Sequence, residues 1–320
     1  MFRKGFKEHG IGGTLFARLK NMEKLLDFSK FYIKFEAGNP TGTMKDRASY
    51  ATLRNAKEKE YPTIAVASCG NFGASIVKLS KIFDIEPHVY IPESYHSPRI
   101  AEMQRLGGII HIAPGTYEEL VEFSGKEAEE KGWYNGNPGT EENSQVSFDA
   151  YEYIAYEVFD ELEYAPDAVS VSVSNGTCFT GVFRGFRSLF RQGKTDKIPV
   201  MVAASTTGGN PIITSFNEGK KKIKDLSPDS ITETPENEPI VNWKSLDGQD
   251  ALDALWESDG YACGVSDEIM ITFSNLLEKE EGLSVLPASA ASVAAMSEYV
   301  KERATPKSKC FVSVLTSRKY

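Results

Sequence analysis

An α/β architecture of open, mostly parallel sheets covered by helices is predicted by three observations. Strand-length apolar runs alternate with helical stretches along most of the 320 residues. Those runs are nearly continuous in apolar character, as in strands buried on both faces. A single polar stretch, Asn135-Gly136-Asn137-Pro138-Gly139-Thr140-Glu141-Glu142-Asn143, interrupts the rhythm as a crossing between two lobes would.

The elements follow in order. Residues 11–26 read as a glycine loop and then a short polar helix. Phe31-Tyr32-Ile33-Lys34-Phe35-Glu36 alternates as a strand with one buried face. Beyond the turn at 38–44, a helix runs to about Glu58. Strand Thr63-Ile64-Ala65-Val66-Ala67 leads through a turn at 68–73 into a helix carrying Ile76, Val77, Leu79 and Ile82. Strand 87–91 precedes a helix spaced on Ile100, Met103 and Leu106. Gly107-Gly108 closes that helix, and strand 109–112 follows. The segment 117–131 reads as an acidic helix. After the polar stretch, helix 147–161, strand 168–173, helix 179–192, strand 199–203 and a helix near 210–217 continue the pattern. Residues 218–245 form a charged, proline-containing excursion. Helices near 248–257, 266–281 and 288–303 lead to the last strand, 309–315.

Composition narrows the function. Apolar content of 41% and charged content of 25% suit a globular enzyme-sized chain. The net charge of −9, with no basic block, gives nucleic acid no electrostatic foothold. No apolar run is long enough to span a bilayer, and the basic N-terminus has no signal-peptide core behind it. Cys69, Cys178, Cys263 and Cys310 lack metal-binding or disulfide spacing, so no metal is expected and a reduced, cytosolic setting fits.

Four strand-to-helix or strand-end turns carry candidate chemistry. Gly38-Asn39-Pro40-Thr41-Gly42-Thr43-Met44-Lys45 is a tight turn that delivers Lys45 to the start of a helix. The helix dipole disfavours a cation there, which lowers the amine pKa and favours a nucleophilic lysine. Taken alone, Lys45 would pass for an ordinary solvated lysine. The turn Ser174-Asn175-Gly176-Thr177-Cys178-Phe179-Thr180-Gly181 has the glycines and hydroxyls of a phosphate cradle at a helix N-terminus. It lacks the Gly-Lys-Ser/Thr ending of a nucleoside-triphosphate loop and the three-glycine dinucleotide spacing. A bland strand–helix turn stands beside that reading. Ser68-Cys69-Gly70-Asn71-Phe72-Gly73 offers amides to a carboxylate and Asn71 to a phenolic oxygen, or is a plain helix cap. Leu315-Thr316-Ser317 closes the final strand. Ligands of open α/β sheets lie beyond the carboxyl ends of strands, and all four turns occupy that position. The ligand they suit has an aldehyde, a phosphate and a polar ring.

Asn39-Pro40-Thr41-Gly42-Thr43-Met44-Lys45-Asp46-Arg47 resembles the lysine motif of the fold type II pyridoxal-phosphate enzymes, the tryptophan synthase β superfamily. Ser68-Cys69-Gly70-Asn71 is similar to their asparagine loop, and residues 174–181 to their phosphate loop. Ile11-Gly12-Gly13-Thr14-Leu15-Phe16-Ala17-Arg18-Leu19 resembles their opening segment. Within the superfamily, Pro239-Ile240-Val241-Asn242-Trp243, Val265-Ser266-Asp267-Glu268 and residues 287–294 look most like threonine synthase.

The resemblance implies two lobes with pyridoxal 5'-phosphate in the cleft between them. Residues 1–48 and 147–320 would form the large cofactor-binding domain, and residues 49–146 the small substrate domain. Lys45 is implied as the Schiff-base lysine and proton shuttle, and Asn71 as the contact to the ring oxygen. Asn175, Gly176, Thr177, Cys178, Phe179 and Thr180 would hold the phosphate, and Thr316 would meet the pyridine nitrogen. Ser68, Cys69, Gly70, Asn71 and Phe72 would bind the substrate carboxylate. A hydroxyl partner for the nitrogen makes a weaker electron sink, which favours elimination and replacement. A small amino acid is the implied substrate and a cytoplasmic homodimer the implied form.

Three departures bear on substrate. Residues 139–145 are acidic where threonine synthases carry a basic, hydroxyl-rich segment, and two carboxylates there would repel a phosphorylated substrate. Cys69 and Phe72 stand where hydroxyl residues are usual, and Leu286 replaces an expected Glu. Two alternatives therefore accompany the threonine-synthase-like reading. One is β-replacement or β-elimination of the cysteine synthase or serine/threonine dehydratase type, suggested by Ser97-Pro98-Arg99-Ile100. The other is a catalytically inactive binding homologue, against which the retained Lys45 argues.

Overall fold

The computed structural model of the chain describes residues 2–68, 70–95, 97–304 and 308–319. Among these, the strands are β1 (Phe16–Arg18), β2 (Lys30–Phe35), β3 (Thr63–Ala67), β4 (Glu86–Pro92), β5 (Ile109–Ala113), β6 (Tyr134–Asn135), β7 (Ala168–Ser172), β8 (Val200–Thr206), β9 (Tyr261–Val265) and β10 (Cys310–Leu315). They form two sheets in two compact units, one of Met1–Ile11 and Asn39–Ala150, the other of Gly12–Gly38 and Tyr151–Lys319.

The first unit holds the sheet β5-β4-β3-β6, parallel throughout. Every residue of β3 is buried, as its unbroken apolar run requires. The chain steps outward from β3 to β4 to β5, then returns to the far side of β3 with β6. That reversal of strand order falls beside the carboxyl end of β3, where the loop at 68–72 emerges. Across the reversal, the Ala67 amide donates to Oδ1 of Asn137 at 2.7 Å. The helix Lys45–Glu58 buries Arg47 completely, its guanidinium 5.8 Å from the Phe6 ring centroid.

The second unit holds the sheet β1-β2-β10-β7-β8-β9, parallel except for the edge strand β1. Here too the order reverses. The chain runs from β7 outward to β8 and β9, and β10 then returns between β7 and β2. The turn after β7 and the turn after β10 therefore share one edge of adjacent parallel strands. The helix Thr177–Arg191 docks on the helix Glu141–Leu162 through Gly185. A Cβ at that glycine would lie 2.6 Å from the Glu152 carbonyl oxygen and 2.7 Å from the Ala155 Cβ. Gly185→Val is expected to cost about 1–3 kcal/mol by overpacking, read as a lower thermal midpoint.

The mostly parallel, helix-covered sheets agree with the sequence expectation, and β3 and the helices Tyr117–Lys131 and Gly248–Glu257 begin and end where expected. Several elements depart from it. The helix Arg3–Glu8 and the short strands β1 and β6 went unforeseen, and so did β9, which follows a helix within four residues. The helix expected from 147 starts at Glu141, capped by Thr140, whose hydroxyl accepts from the Asn143 amide at 3.2 Å. The polar stretch thus ends as the first turn of a helix, and the chain passes between units inside that helix. No helix among the described residues is long and apolar enough to cross a membrane.

His88 and His111 form a pair across β4 and β5. His88 Nδ1 lies 2.8 Å from His111 Nε2, and Trp133 packs on His88. Burial first, and the neighbouring His88 second, hold the His111 pKa below its ordinary 6.5. Glu127 and Lys131 also face it, with opposing effects. The unfolded chain therefore binds more protons than the folded one as pH falls through that range, so stability must fall with it. His111→Gln is expected to flatten this acid-side decline in chemical unfolding measured between neutral and mildly acid pH.

Candidate active site

Pro40 at the second position of a turn closed by Gly42 N–H on the Asn39 carbonyl, 2.8 Å, gives the lysine turn its shape. Gly42 has φ +80°, which glycine adopts without strain. The turn is then tied from beneath. The buried Asp46 carboxylate accepts from the Thr41 amide at 2.7 Å, from the Thr41 hydroxyl at 2.6 Å and from the Ser75 hydroxyl at 2.6 Å. Burial pushes its pKa up, against those hydrogen bonds, which favour the charged form. Ser75 belongs to the helix Asn71–Phe83, so Asp46 fastens the lysine turn to the asparagine helix. Lys45 is the first residue of its own helix, and its Nζ lies 5.9 Å from the centroid of the Phe72 ring. The lysine turn and the asparagine loop, 26 positions apart in sequence, meet in this unit.

Within the asparagine loop, roles separate. The Ser68 amide donates to the Tyr90 carbonyl at 3.0 Å, extending the sheet, and its hydroxyl accepts from the Gly73 amide at 2.8 Å. Ser68 thus braces the loop. Asn71 and Phe72 open the helix, preceded by Gly70 with no side-chain cap. Their first-turn amides have no carbonyl one turn back in the helix, which makes that end suited to an anion. Cys69 lies outside the described residues.

The turn after β7 forms the other set. Gly176 has φ +91°, and a Cβ there would meet the Ala251 Cβ at 2.7 Å. It stands as N-cap of the helix Thr177–Arg191 without a side-chain cap. The Thr180 hydroxyl is buried and has no hydrogen-bond partner among the described residues. A helix N-terminus without a side-chain cap, with an unanswered buried hydroxyl at its fourth residue, is what a phosphate would satisfy, so the residues fit such a group. The Phe179 side chain is fully buried and Cys178 nearly so, which leaves their amides as the groups that can serve a ligand. The Thr177 hydroxyl is hydrogen-bonded to the Asp247 carboxylate, so its proton is directed there. Asn175 braces the turn through Oδ1, which accepts from the Leu246 amide at 3.2 Å. Thr316, just past β10, is fixed by its amide donating to Ser289 Oγ at 2.7 Å.

Sequence reasoning missed the supports of this second set. Asn210 donates to the Ser174 carbonyl at 3.0 Å and to Asn242 Oδ1 at 2.8 Å, and the Ser245 hydroxyl reaches the same carbonyl at 3.1 Å. Asn210-Pro211 was readable as a helix start, since Asn210 caps the Ile212 amide at 2.9 Å with proline at the first helical position. The acidic segment also proves less repulsive than its sequence suggested. Glu142 is paired with Lys59 and accepts from Asn55 at 2.6 Å, which answers its charge.

Comparison with known proteins follows the same lines. A family profile described as "Pyridoxal-phosphate dependent enzyme" matches residues 7–317. The chain is 29% identical over 307 residues to a threonine synthase of Methanocaldococcus jannaschii, covering 95% of this chain and 74% of that protein. It is 28% identical over 311 residues to a threonine synthase of Halalkalibacterium halodurans, covering 96% and 82%. Among solved structures, serine racemase from Dictyostelium discoideum superposes with a TM-score of 0.79 at 18% identity, covering 98% of this chain and 94% of that one, which shows the shared fold.

Proposed function

The chain belongs to the pyridoxal-phosphate dependent enzymes, and from that premise we propose that it is a threonine-synthase-like lyase performing elimination or replacement on a small amino acid. The observation that carries this reading is the Lys45 amine standing over the Phe72 ring, beside the asparagine loop. When bound, pyridoxal phosphate supplies an aldehyde that takes up an amino acid and a ring that draws electrons from its α-carbon. In this reading Lys45 would hold the cofactor through Nζ, and the same amine would serve as the base at the substrate's α-proton. Fixing that amine at a helix start supplies proximity and proton transfer together.

The remaining residues bind and orient. The amides at Gly176, Thr177, Cys178 and Phe179 and the Thr180 hydroxyl receive the phosphate, with Asn175 as brace. Asn71 meets the ring oxygen, and Thr316 offers a hydroxyl to the pyridine nitrogen. A hydroxyl does not hold a proton on that nitrogen as a carboxylate would, which turns the chemistry toward elimination and replacement. The amides of Gly70, Asn71 and Phe72, with Cys69, receive the substrate carboxylate, and Ser68 shapes that loop. By the same resemblance the working form is a cytoplasmic homodimer.

A second reading, β-elimination or β-replacement on a serine-type substrate, is favoured by residues 139–145, which bring no cation to a phosphorylated side chain. One panel decides between them. The holoprotein is offered phosphohomoserine, phosphoserine, acetylserine, serine and threonine, with visible absorbance, phosphate release and keto-acid formation recorded. Phosphate release from phosphohomoserine alone supports the first reading. Keto acid from serine or threonine, with phosphohomoserine inert, supports the second.

A further inference from the structure

The asparagine loop and the lysine turn share a partner that neither motif contains. Arg99, in the first turn of the helix Pro98–Arg105, is only 4% exposed. Its Nη2 donates to the Thr41 carbonyl at 2.8 Å and to Asn71 Oδ1 at 3.1 Å, and its Nη1 donates to Glu102 at 2.7 Å. Thr41 is therefore gripped on both sides, its amide and hydroxyl by Asp46 and its carbonyl by Arg99.

A guanidinium has donors and no acceptor, so the Asn71 amide must turn its oxygen toward Arg99. The end with which Asn71 can meet a cofactor oxygen is then its N–H₂, a donor. A donor prefers the ionised form of a ring hydroxyl, and a cation behind the asparagine adds to that preference. Resting on the pyridoxal-phosphate reading above, we propose that Arg99 is a positioning residue, which orients Asn71 through its Oδ1 so that the cofactor's ring oxygen is held in its ionised form. Arg99 acts through Asn71 and does not itself touch the cofactor. Lysine would keep the charge at this site without the planar fork, and glutamine would keep one donor without the charge.

The test uses the full-length holoprotein, with Arg99→Lys, Arg99→Gln and Arg99→Met, each also built on Asn71→Ala. Two quantities are read: the pH midpoint of the visible absorbance of the bound cofactor, and its dissociation constant from fluorescence titration with pyridoxal phosphate. Arg99→Met is expected to raise the midpoint by about one pH unit and weaken binding by about tenfold. Arg99→Lys should recover part of both shifts and Arg99→Gln less. On the Asn71→Ala background, none of the three should move the midpoint further. A purely structural arginine would lower the thermal midpoint and leave the absorbance midpoint alone, or would move it equally with and without Asn71. Either result overturns the proposal, and the lysine and glutamine variants decide it where the methionine variant does not fold. A wild-type protein with no visible band at any pH overturns the parent reading as well, and that failure is recognised by the missing band itself.

Discussion

Lys45→Ala is expected to abolish turnover of whichever amino acid the enzyme uses, with loss of the visible absorbance that a lysine-bound cofactor gives. Two roles vanish with one amine: the covalent hold on the cofactor and the base beside the α-carbon. General-base contributions alone amount to about 10²–10⁴ in rate, and proximity multiplies them. The fold should survive, because the side chain is only half-buried while the turn around it is held by Asp46, Thr41 and Ser75. A far-ultraviolet spectrum and thermal midpoint matching the wild type would separate loss of chemistry from loss of structure. Substantial turnover by the alanine variant would contradict the assignment of Lys45.

Gly176→Val is expected to have the second largest effect, on cofactor affinity. Its φ of +91° strains any residue with a Cβ, and that Cβ would lie 2.7 Å from the Ala251 Cβ and 3.1 Å from the Asp247 carbonyl oxygen. The strain alone is worth about 1–3 kcal/mol. The backbone can relieve it only by shifting the first amides of the helix Thr177–Arg191, the groups assigned to the phosphate. Affinity for pyridoxal phosphate should therefore fall by roughly 10–100-fold, measured by fluorescence titration. Inorganic phosphate or sulfate should compete less well in the variant. Unchanged affinity would remove the phosphate from this turn.

Much of this was readable in the chain because the informative features are local. Pro40 and Gly42 define a turn within four residues, and β3 is a run of five residues buried at every position. The strands that escaped notice are short or marginal: β6 has two residues, β1 has three with Arg18 exposed, and β9 carries Gly264. Their pairing is supplied by neighbours rather than by their own propensity. The early start of the helix Glu141–Leu162 was signalled by Thr140 before two glutamates, a cap followed by acids in the first turn, but the surrounding Asn, Gly and Pro residues masked it. The supports of the lysine turn and of the turn after β7 could not be seen at all in sequence order. Arg99 lies 58 positions from Thr41, and Asp247 lies 70 positions from Thr177. Contacts of that separation are products of the topology.

The proposed bond between Lys45 and the cofactor is covalent, so it can be trapped and located. The purified protein is loaded with pyridoxal phosphate, reduced with borohydride, digested, and its peptides mapped by mass spectrometry. The account predicts one modified residue, Lys45, in the peptide that begins the helix Lys45–Glu58. Modification centred on another lysine, such as Lys78, whose amine donates to the Pro40 carbonyl at 2.9 Å, or the absence of any reducible adduct, would contradict it.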